Sequence, residues 1–238
     1  SRFLMEAMEY TYAIGEEEVY LGMYGASEVK IRLKNGSSFT MIQDTDYPWS
    51  GRIRFRFVNV ESDRGFLLMI RVPGWAESGS VEYDGTSRRI TEEDGSSYLP
   101  LKVHDLKNSR IEVCFDMPAR LTVAHPMVEE DGNQAAVERG PIVYCMESPD
   151  ADVDTLDDIL MPSDAVFREE DYEICGQRLV ALKTEAVVLR KKQNRDALYQ
   201  TLRIDGIDRI SVRLIPYFAW DNRGFGEMRI WMPLLYRL

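Results

Sequence analysis

From Val19 onward, apolar and polar residues alternate with a period of two, which is the pattern of half-buried β-strands. The alternation is strictest in residues 52–57, where arginine alternates with isoleucine and phenylalanine. Asn35-Gly36 and Asp84-Gly85 stand between such segments, and these pairs favour tight hairpins because they tolerate positive φ. Short alternating segments separated by turns predict a β-sandwich that ends at Met117.

A second series of alternating segments begins at Pro118. Its strands are predicted near residues 121–123, 135–137, 142–146, 179–182, 186–189, 198–204, 210–214 and 228–232. Residues 149–171 interrupt the series with closely spaced aspartates, and we interpret them as a solvated connection, because the glycine of a calcium loop is missing. We therefore predict an all-β chain of two tandem antiparallel β-sandwiches, residues 15–117 and residues 118–238.

Residues 1–14 differ from the rest because their apolar positions follow a helical period. Phe3, Ala7, Tyr10 and Ile14 share one face, and further apolar residues widen it until little of the circumference is polar. Such a helix is expected to be buried on most sides. We predict one N-terminal helix that belongs to a larger structure absent from this chain.

The chain has 29 Lys and Arg residues against 40 Asp and Glu residues, a formal net charge of −11. It therefore lacks the cationic surface that phosphate groups attract, which argues against nucleic acid and anionic membranes as partners. No apolar run approaches the length of a membrane span. The compartment cannot be predicted from these residues.

Few residues of this chain suggest chemistry. Cys114, Cys145 and Cys175 are odd in number and widely spaced, which argues against a disulfide framework and a structural zinc site. His104 and His125 are the two histidines, and no phosphate-binding or nucleophile-elbow motif is present. The residues alone describe a tandem β-sandwich without a self-contained active site.

The arginines of residues 52–57 lie on one face of the predicted strand. The solvated outer face of an antiparallel strand accounts for them, and an anion-binding site is the alternative. The sequence pattern leaves both interpretations open.

The stretch Ile215–Pro233 predicts a strand end, a glycine-containing turn and a second strand. Trp220 and Trp231 flank the turn and offer more aromatic surface than a simple connection needs. These rings either plug the end of a sandwich or form a platform that meets another molecule.

Six strings occur in the order found in the C-terminal half of glycoside hydrolase family 127, the family built around β-L-arabinofuranosidases. They are Thr-Asp-Tyr-Pro-Trp-Ser-Gly at residues 45–51, Arg-Val-Pro-Gly-Trp-Ala at 71–76, Met-Pro-Ala-Arg at 117–120, Ala-His-Pro at 124–126, Val-Glu-Arg-Gly-Pro-Ile-Val-Tyr-Cys-Met-Glu at 137–147, and the stretch 215–233. The chain resembles this family over nearly its whole length.

The resemblance implies a large (α/α)6 helical barrel followed by two β-sandwiches. Residues 1–14 would then be the last helix of that barrel. In the family, a zinc-bound cysteine acts as the nucleophile and a glutamate as the acid/base, and both lie in the barrel. None of the three cysteines here matches a catalytic position. We therefore expect no catalytic residue, metal ligand or cofactor in this chain, and we expect zinc in the absent catalytic domain.

The aromatic motifs have two interpretations. Trp75, Trp220 and Trp231 can cap the ends of the sandwiches or pack against the barrel. Alternatively, Trp220, Asn222 and Arg223 contact a sugar, because carbohydrate sites combine an aromatic face with amide and guanidinium donors.

We expect this chain to be the non-catalytic C-terminal portion of a glycoside hydrolase that acts on β-L-arabinofuranosides or a related sugar. Its expected partner is its own catalytic barrel, which it braces, and the chain by itself is expected to be inactive. One alternative is a carbohydrate-binding module that depends on Trp220. Another is a structural domain in which residues 1–14 pair with a second copy to form a homodimer.

Overall fold

The computed structural model describes residues 6–151, 153, 155–192 and 198–236. The chain divides into two compact units, a first unit of residues 1–117 and a second unit of residues 118–238. The described residues form β-strands and short 3₁₀ helices, so the predicted all-β class is confirmed. The 3₁₀ helices are Met8–Tyr10, Glu92–Asp94, Glu129–Asp131, Ser148–Asp150, Leu156–Asp158 and Tyr217–Ala219.

The strands of the first unit form two sheets. They are β1 (Tyr12–Ile14), β2 (Glu18–Leu21), β3 (Ser27–Arg32), β4 (Ser38–Thr45), β5 (Arg52–Ser62), β6 (Phe66–Arg71), β7 (Ser78–Tyr83), β8 (Thr86–Thr91), β9 (Tyr98–Val103) and β10 (Ile111–Phe115). One sheet has the order β1-β2-β6-β9, and the other has the order β3-β4-β5-β10-β7-β8. The pairs are antiparallel except for β2 with β6, which is parallel.

Apolar side chains from both sheets meet in one core, which makes the first unit a sandwich. Phe55 of β5 and Leu68 of β6 come from different sheets and are both buried in this core. Fully burying a side chain of this kind contributes about 1.5–3 kcal/mol. The arginines of β5 alternate with its buried residues and are exposed, so the strict sequence alternation reports a strand with one solvated face.

The strands of the second unit pair differently, and two of them, of 15 and 13 residues, are longer than any in the first unit. They are β11 (Ala119–Thr122), β12 (Gln134–Arg139), β13 (Ile142–Glu147), β14 (Ile159–Pro162), β15 (Arg168–Ile174), β16 (Gln177–Lys191), β17 (Ile204–Pro216), β18 (Met228–Arg229) and β19 (Met232–Leu235). Six of them pair in the order β12-β19-β14-β16-β17-β13, and β13 pairs back with β12. The pairing therefore closes on itself, which leaves no free edge within that circuit. The β14–β19 pair is parallel.

The N-terminal helix predicted over residues 1–14 is wrong at its C-terminal end. Residues 1–5, including Phe3 and Leu4, lie outside the described part of the chain. Tyr12–Ile14 form β1, which pairs with β2 in the sheet, so ladder hydrogen bonds override the helical spacing of the apolar residues. Met8 and Tyr10, expected to be buried, are exposed.

The acidic stretch 149–171, interpreted as a solvated connection, contains ordered structure. Strand β14 lies within it and pairs with β16 and β19. Asp150 is buried because Arg223 binds it. The periodicity gave no sign of this, because the partner of Asp150 is 73 residues away along the chain.

Candidate functional site

The candidate site is built on the connection between β17 and β18, whose residues 217–225 we call the aromatic loop. Four aromatic side chains of this loop are exposed. They are Tyr217, Phe218, Trp220 and Phe225. Aromatic surface of this size is normally buried in a core or an interface, so its exposure needs a reason other than packing.

Two of these rings are parallel. Tyr217 and Trp220 have ring centroids 6.4 Å apart and planes inclined by 2°. Tyr217 begins a 3₁₀ helix and Trp220 caps it, and side chains three residues apart eclipse each other in a 3₁₀ helix. The short helix therefore aligns the two rings, which remain 42% and 41% exposed.

Asn222 closes the loop. Its side-chain amide donates hydrogen bonds to the carbonyl oxygens of Ala219 at 3.1 Å and Trp220 at 3.0 Å. Asp221 and Gly224 have φ of 61° and 104°, so the chain reverses through two left-handed residues. The amide of Asn222 is therefore used inside the loop, where it holds the backbone under the Trp220 ring.

Arg223 points inward and anchors the loop to β13 and the turn that follows it. Its Nε donates to Glu147 at 2.9 Å, and its Nη1 donates to Asp150 at 2.8 Å. Nη2 donates to both carboxylates, at 2.5 Å in the case of Asp150. The other oxygen of Glu147 accepts the backbone N–H of Asp221 at 2.8 Å. One buried glutamate thus holds both the side chain and the backbone of the turn.

The anchor is enclosed by a second arginine and a tyrosine. Arg213 lies over the ring of Tyr172, with its guanidinium carbon 4.5 Å from the ring centroid, and the guanidinium of Arg223 is 5.9 Å from the same centroid. The Nε of Arg213 donates to Glu170 at 2.9 Å. We call these six residues the arginine network. Its members are Glu147, Asp150, Glu170, Tyr172, Arg213 and Arg223.

The network raises the pKa values of its two arginines and lowers that of Glu170. Hydrogen bonds to Asp150 and then to Glu147 raise the pKa of Arg223, against the opposing effect of burial. The hydrogen bond from Arg213 holds the pKa of Glu170 below its ordinary value. Asp150 is 1% exposed at its side chain, and its charge is compensated by Arg223 at 2.5 Å and by the more distant Arg213 at 3.9 Å. Both arginines stay charged at any physiological pH, and the network acts as a permanent structural tie.

The three predicted site residues therefore lie together in one loop but differ in orientation. Trp220 is 41% exposed, whereas the polar groups of Asn222 and Arg223 are bound by protein atoms. Trp75 packs edge to face against Phe115, with centroids 5.7 Å apart, in the first unit. Of the four tryptophans, Trp220 is exposed and the other three are partly buried.

Sequence reasoning missed the partners of Arg223. The strings at residues 137–147 and 215–233 were singled out separately, and the structure joins them through Glu147 and Arg223. Glu147 ends the apolar strand β13, and a carboxylate at the end of a buried strand needs a charged or hydrogen-bonding partner. This position is the feature of the sequence that indicates a partner for Glu147.

The described residues contain no group of three or more His, Cys, Asp or Glu side chains placed to hold a metal ion. His125 has a structural contact, because its Nδ1 accepts the backbone N–H of Met127 at 3.2 Å. Burial raises the pKa of the Cys145 thiol to about 12, which makes it a poor nucleophile. No helix in the described ranges is long and apolar enough to cross a membrane.

Comparison with known proteins gives consistent matches. Residues 18–117 match the model of the β-L-arabinofuranosidase middle domain of glycoside hydrolase family 127, and residues 119–233 match the model of the C-terminal domain of that family. A non-reducing end β-L-arabinofuranosidase of Bifidobacterium longum subsp. longum is 29% identical over 206 residues. That match covers 82% of this chain and 30% of the relative, so the chain spans less than a third of the relative's length.

Solved structures give the same result. A structure described as a glycoside hydrolase superposes with a TM-score of 0.88 at 34% identity, covering 98% of this chain and 38% of the other. A family 127 β-L-arabinofuranosidase from Geobacillus stearothermophilus T6 gives 0.87 at 28% identity, with coverages of 98% and 36%. The chain matches both domain models in the order middle domain then C-terminal domain, and it superposes on solved structures of the same kind. The chain belongs to glycoside hydrolase family 127, of which it represents the middle and C-terminal domains.

Proposed function

We propose that this chain is the non-catalytic portion of a longer glycoside hydrolase that removes β-L-arabinofuranosyl or a related sugar. In this proposal the two units brace a catalytic (α/α)6 barrel encoded outside these residues. The proposal rests on the share of a relative that the chain matches. The chain matches two named domains, yet it spans only 30% of the length of a β-L-arabinofuranosidase relative. The rest of such a protein has room for the catalytic part.

The chemistry of the buried acids supports a structural role. The commonest glycoside hydrolase mechanism uses two carboxyl groups placed across the sugar, with their pKa values pushed apart, and the mechanism that the resemblance implies still uses one accessible carboxyl group as acid/base. Glu147 and Asp150 are adjacent and buried, but both are bound to Arg223. Their side chains are 6% and 1% exposed, so a sugar has no access to them. We assign them to holding the loop.

We also propose that zinc, if the longer protein binds it, is held by residues outside this chain. Two of the three cysteines support this assignment, while Cys175 is exposed. Cys145 is buried with a raised pKa, and Cys114 is half-buried with its pKa also raised by burial. Neither is prepared to act as a zinc-bound thiolate nucleophile.

An activity assay tests the proposal. The 238-residue chain and the longer protein that contains it would be incubated with p-nitrophenyl β-L-arabinofuranoside, zinc and reductant. We expect turnover by the longer protein and none by this chain. Turnover by the chain that disappears when one of its own carboxylates is changed to an amide would overturn the proposal.

A second candidate function is carbohydrate binding through the aromatic loop. It is favoured by the parallel, exposed faces of Tyr217 and Trp220, because sugar rings stack their C–H faces on aromatic surfaces. Calorimetric titration with arabinose-containing oligosaccharides would show binding that Trp220→Ala removes. Tyr98→Ala is the matched control, since that ring is 40% exposed on the first unit. Equal loss in both variants, or no binding by the native chain, would exclude this candidate.

A further inference from the structure

The outer face of the larger sheet of the first unit carries a groove of about 800 Å³. Its floor is one cross-strand row of side chains from five neighbouring strands, in which Asp44 pairs with Arg54, Arg54 with Glu112, Glu112 with Glu82, and Glu82 with Ser87. Strands lie about 4.8 Å apart, so the row is about 19 Å long. We call this feature the charged groove.

The charges of the groove nearly balance. Arg54, Arg56 and Arg110 supply cations, while Asp44, Glu82, Asp84 and Glu112 supply anions. A strongly anionic ligand would meet more carboxylates than arginines, and a cationic ligand would meet three arginines. The lining therefore favours a neutral ligand that both donates and accepts hydrogen bonds.

Among the described residues, part of this polar surface has no ion-pair partner. Arg54 binds Glu112 at 2.6 Å, and Arg52 approaches the same carboxylate at 3.6 Å. No side chain among the described residues forms an ion pair with Arg56 or Glu82, although both line the groove. These two residues offer a fork of donors and a pair of acceptors on a rigid sheet.

One like-charge contact also points to a ligand. Glu82 lies directly opposite Glu112 across the β7–β10 pair. Like charges opposite each other in a sheet are destabilising. Folding alone does not favour this arrangement, whereas a ligand that bonds to both charges does.

Tyr83 turns its ring away from the groove. The ring packs against the core, because it lies on the face of β7 opposite Glu82. Its hydroxyl donates to the carbonyl oxygen of His104 at 3.2 Å and accepts the backbone N–H of His104 at 2.9 Å. The groove floor is therefore a rigid array of polar groups, which matches the alternating hydroxyls of a sugar chain.

We propose that the charged groove binds a neutral oligosaccharide, with Arg56 and Glu82 as its principal hydrogen-bonding residues. The choice of a glycan as ligand rests on the proposed function, since the longer protein would act on glycans. The lining residues by themselves indicate a neutral ligand that forms hydrogen bonds. A protein partner is less suited, because interface cores are apolar and this floor is charged.

The test is calorimetric titration of the full 238-residue chain with neutral arabino-oligosaccharides. The variants are Arg56→Gln and Glu82→Gln, and each is expected to weaken binding about ten- to a hundredfold, the effect of losing a charged hydrogen bond. Arg32→Gln is the matched control, because this exposed arginine lies on β3 of the same sheet but outside the groove. Its affinity should equal that of the native chain.

Three results would overturn the proposal. They are absence of binding by the native chain, unchanged affinity in both groove variants, and tighter binding of oligosaccharides that carry uronic acids. If Trp220→Ala abolishes binding while Arg56→Gln does not, the sugar binds the aromatic loop instead. None of these binding results depends on catalysis. Glycan binding in the charged groove can therefore be disproved while the proposed function holds, and the activity assay can disprove the proposed function while binding in the groove is still observed.

Discussion

The two units are similar in length but place their aromatic and polar residues in opposite ways. The first unit buries five phenylalanines, Phe39, Phe55, Phe57, Phe66 and Phe115, and its buried polar residues, Ser37, Thr40, Gln43 and Ser109, are all uncharged. The second unit buries Tyr144 but exposes the four rings of the aromatic loop, and it buries Arg139, Glu147 and Asp150. One unit is therefore organised by an apolar core, and the other adds ion pairs that hold a surface loop.

The two units differ in what their buried residues contribute: apolar residues mainly add stability, and buried ion pairs mainly fix the arrangement of their partners. Apolar burial stabilises in proportion to area and has little directional preference. Buried ion pairs contribute little net stability, because desolvation offsets attraction, but they demand a defined arrangement of partners. At the aromatic loop, the second unit buries charged residues where apolar residues would stabilise it more. We infer that the ion pairs serve to fix the position of the loop.

The largest expected effect comes from removing a core ring of the first unit. Phe55→Ala should lower the free energy of unfolding by about 3–5 kcal/mol, because the side chain is buried and leaves a cavity. Denaturant unfolding followed by circular dichroism measures the change. Phe225→Ala is the matched control in the second unit, where the ring is fully exposed, and should change stability by less than about 0.5 kcal/mol. An equal loss of unfolding free energy in Phe55→Ala and Phe225→Ala would contradict the view that burial of aromatic rings stabilises the first unit.

Breaking the arginine network should have a large effect that depends on burial. Arg223→Met leaves Glu147 buried without its cation and Asp150 with only the more distant Arg213, at 3.9 Å, and should lower stability by about 3–5 kcal/mol. Arg178→Met removes an ion pair with Asp171 at 2.9 Å in which both side chains are mostly exposed. That change should cost about 1 kcal/mol or less. A similar loss in both variants would mean that burial of the network is not what makes it matter.

The sequence predicted local structure better than distant partners. Alternation predicted β5 and its exposed arginines, and the Asp84-Gly85 turn is confirmed, with φ of 46° and 78° between β7 and β8. The helix over residues 1–14 failed because pairing with β2 decides the conformation of residues 12–14. Arg223 was selected, but its partners Glu147 and Asp150 lie 76 and 73 residues away, beyond the reach of any local pattern.

High pH should destabilise the second unit through a buried thiol and a buried phenol. Burial raises the pKa of Cys145 to about 12 and that of Tyr144 to about 12. Unfolded thiols and phenols ionise near their ordinary values of about 8.5 and 10. Between these values and pH 12 the unfolded state releases protons that the folded state retains, so stability falls as pH rises.

The Cys145→Ala variant isolates the thiol. Its loss of stability between about pH 8.5 and 10 should be smaller than that of the native chain, and Cys114, whose pKa is also raised by burial, contributes to the loss that remains. Urea unfolding at a series of pH values from neutral to about pH 11 measures this difference. An equal loss in both chains would show that Cys145 ionises as readily in the folded as in the unfolded chain, contrary to its burial.

The smallest expected effect concerns the polar face of the first unit. Glu82→Gln removes the repulsion between Glu82 and Glu112, which are direct cross-strand neighbours, and should raise stability by a few tenths of a kcal/mol. The same change is expected to weaken glycan binding in the charged groove. A variant that folds more stably and binds less well would identify Glu82 as a residue kept for a ligand, and differential scanning calorimetry beside the titration gives both quantities. Lower stability in Glu82→Gln would mean instead that this carboxylate serves the sheet, and the first unit would then be a purely structural counterpart to the second.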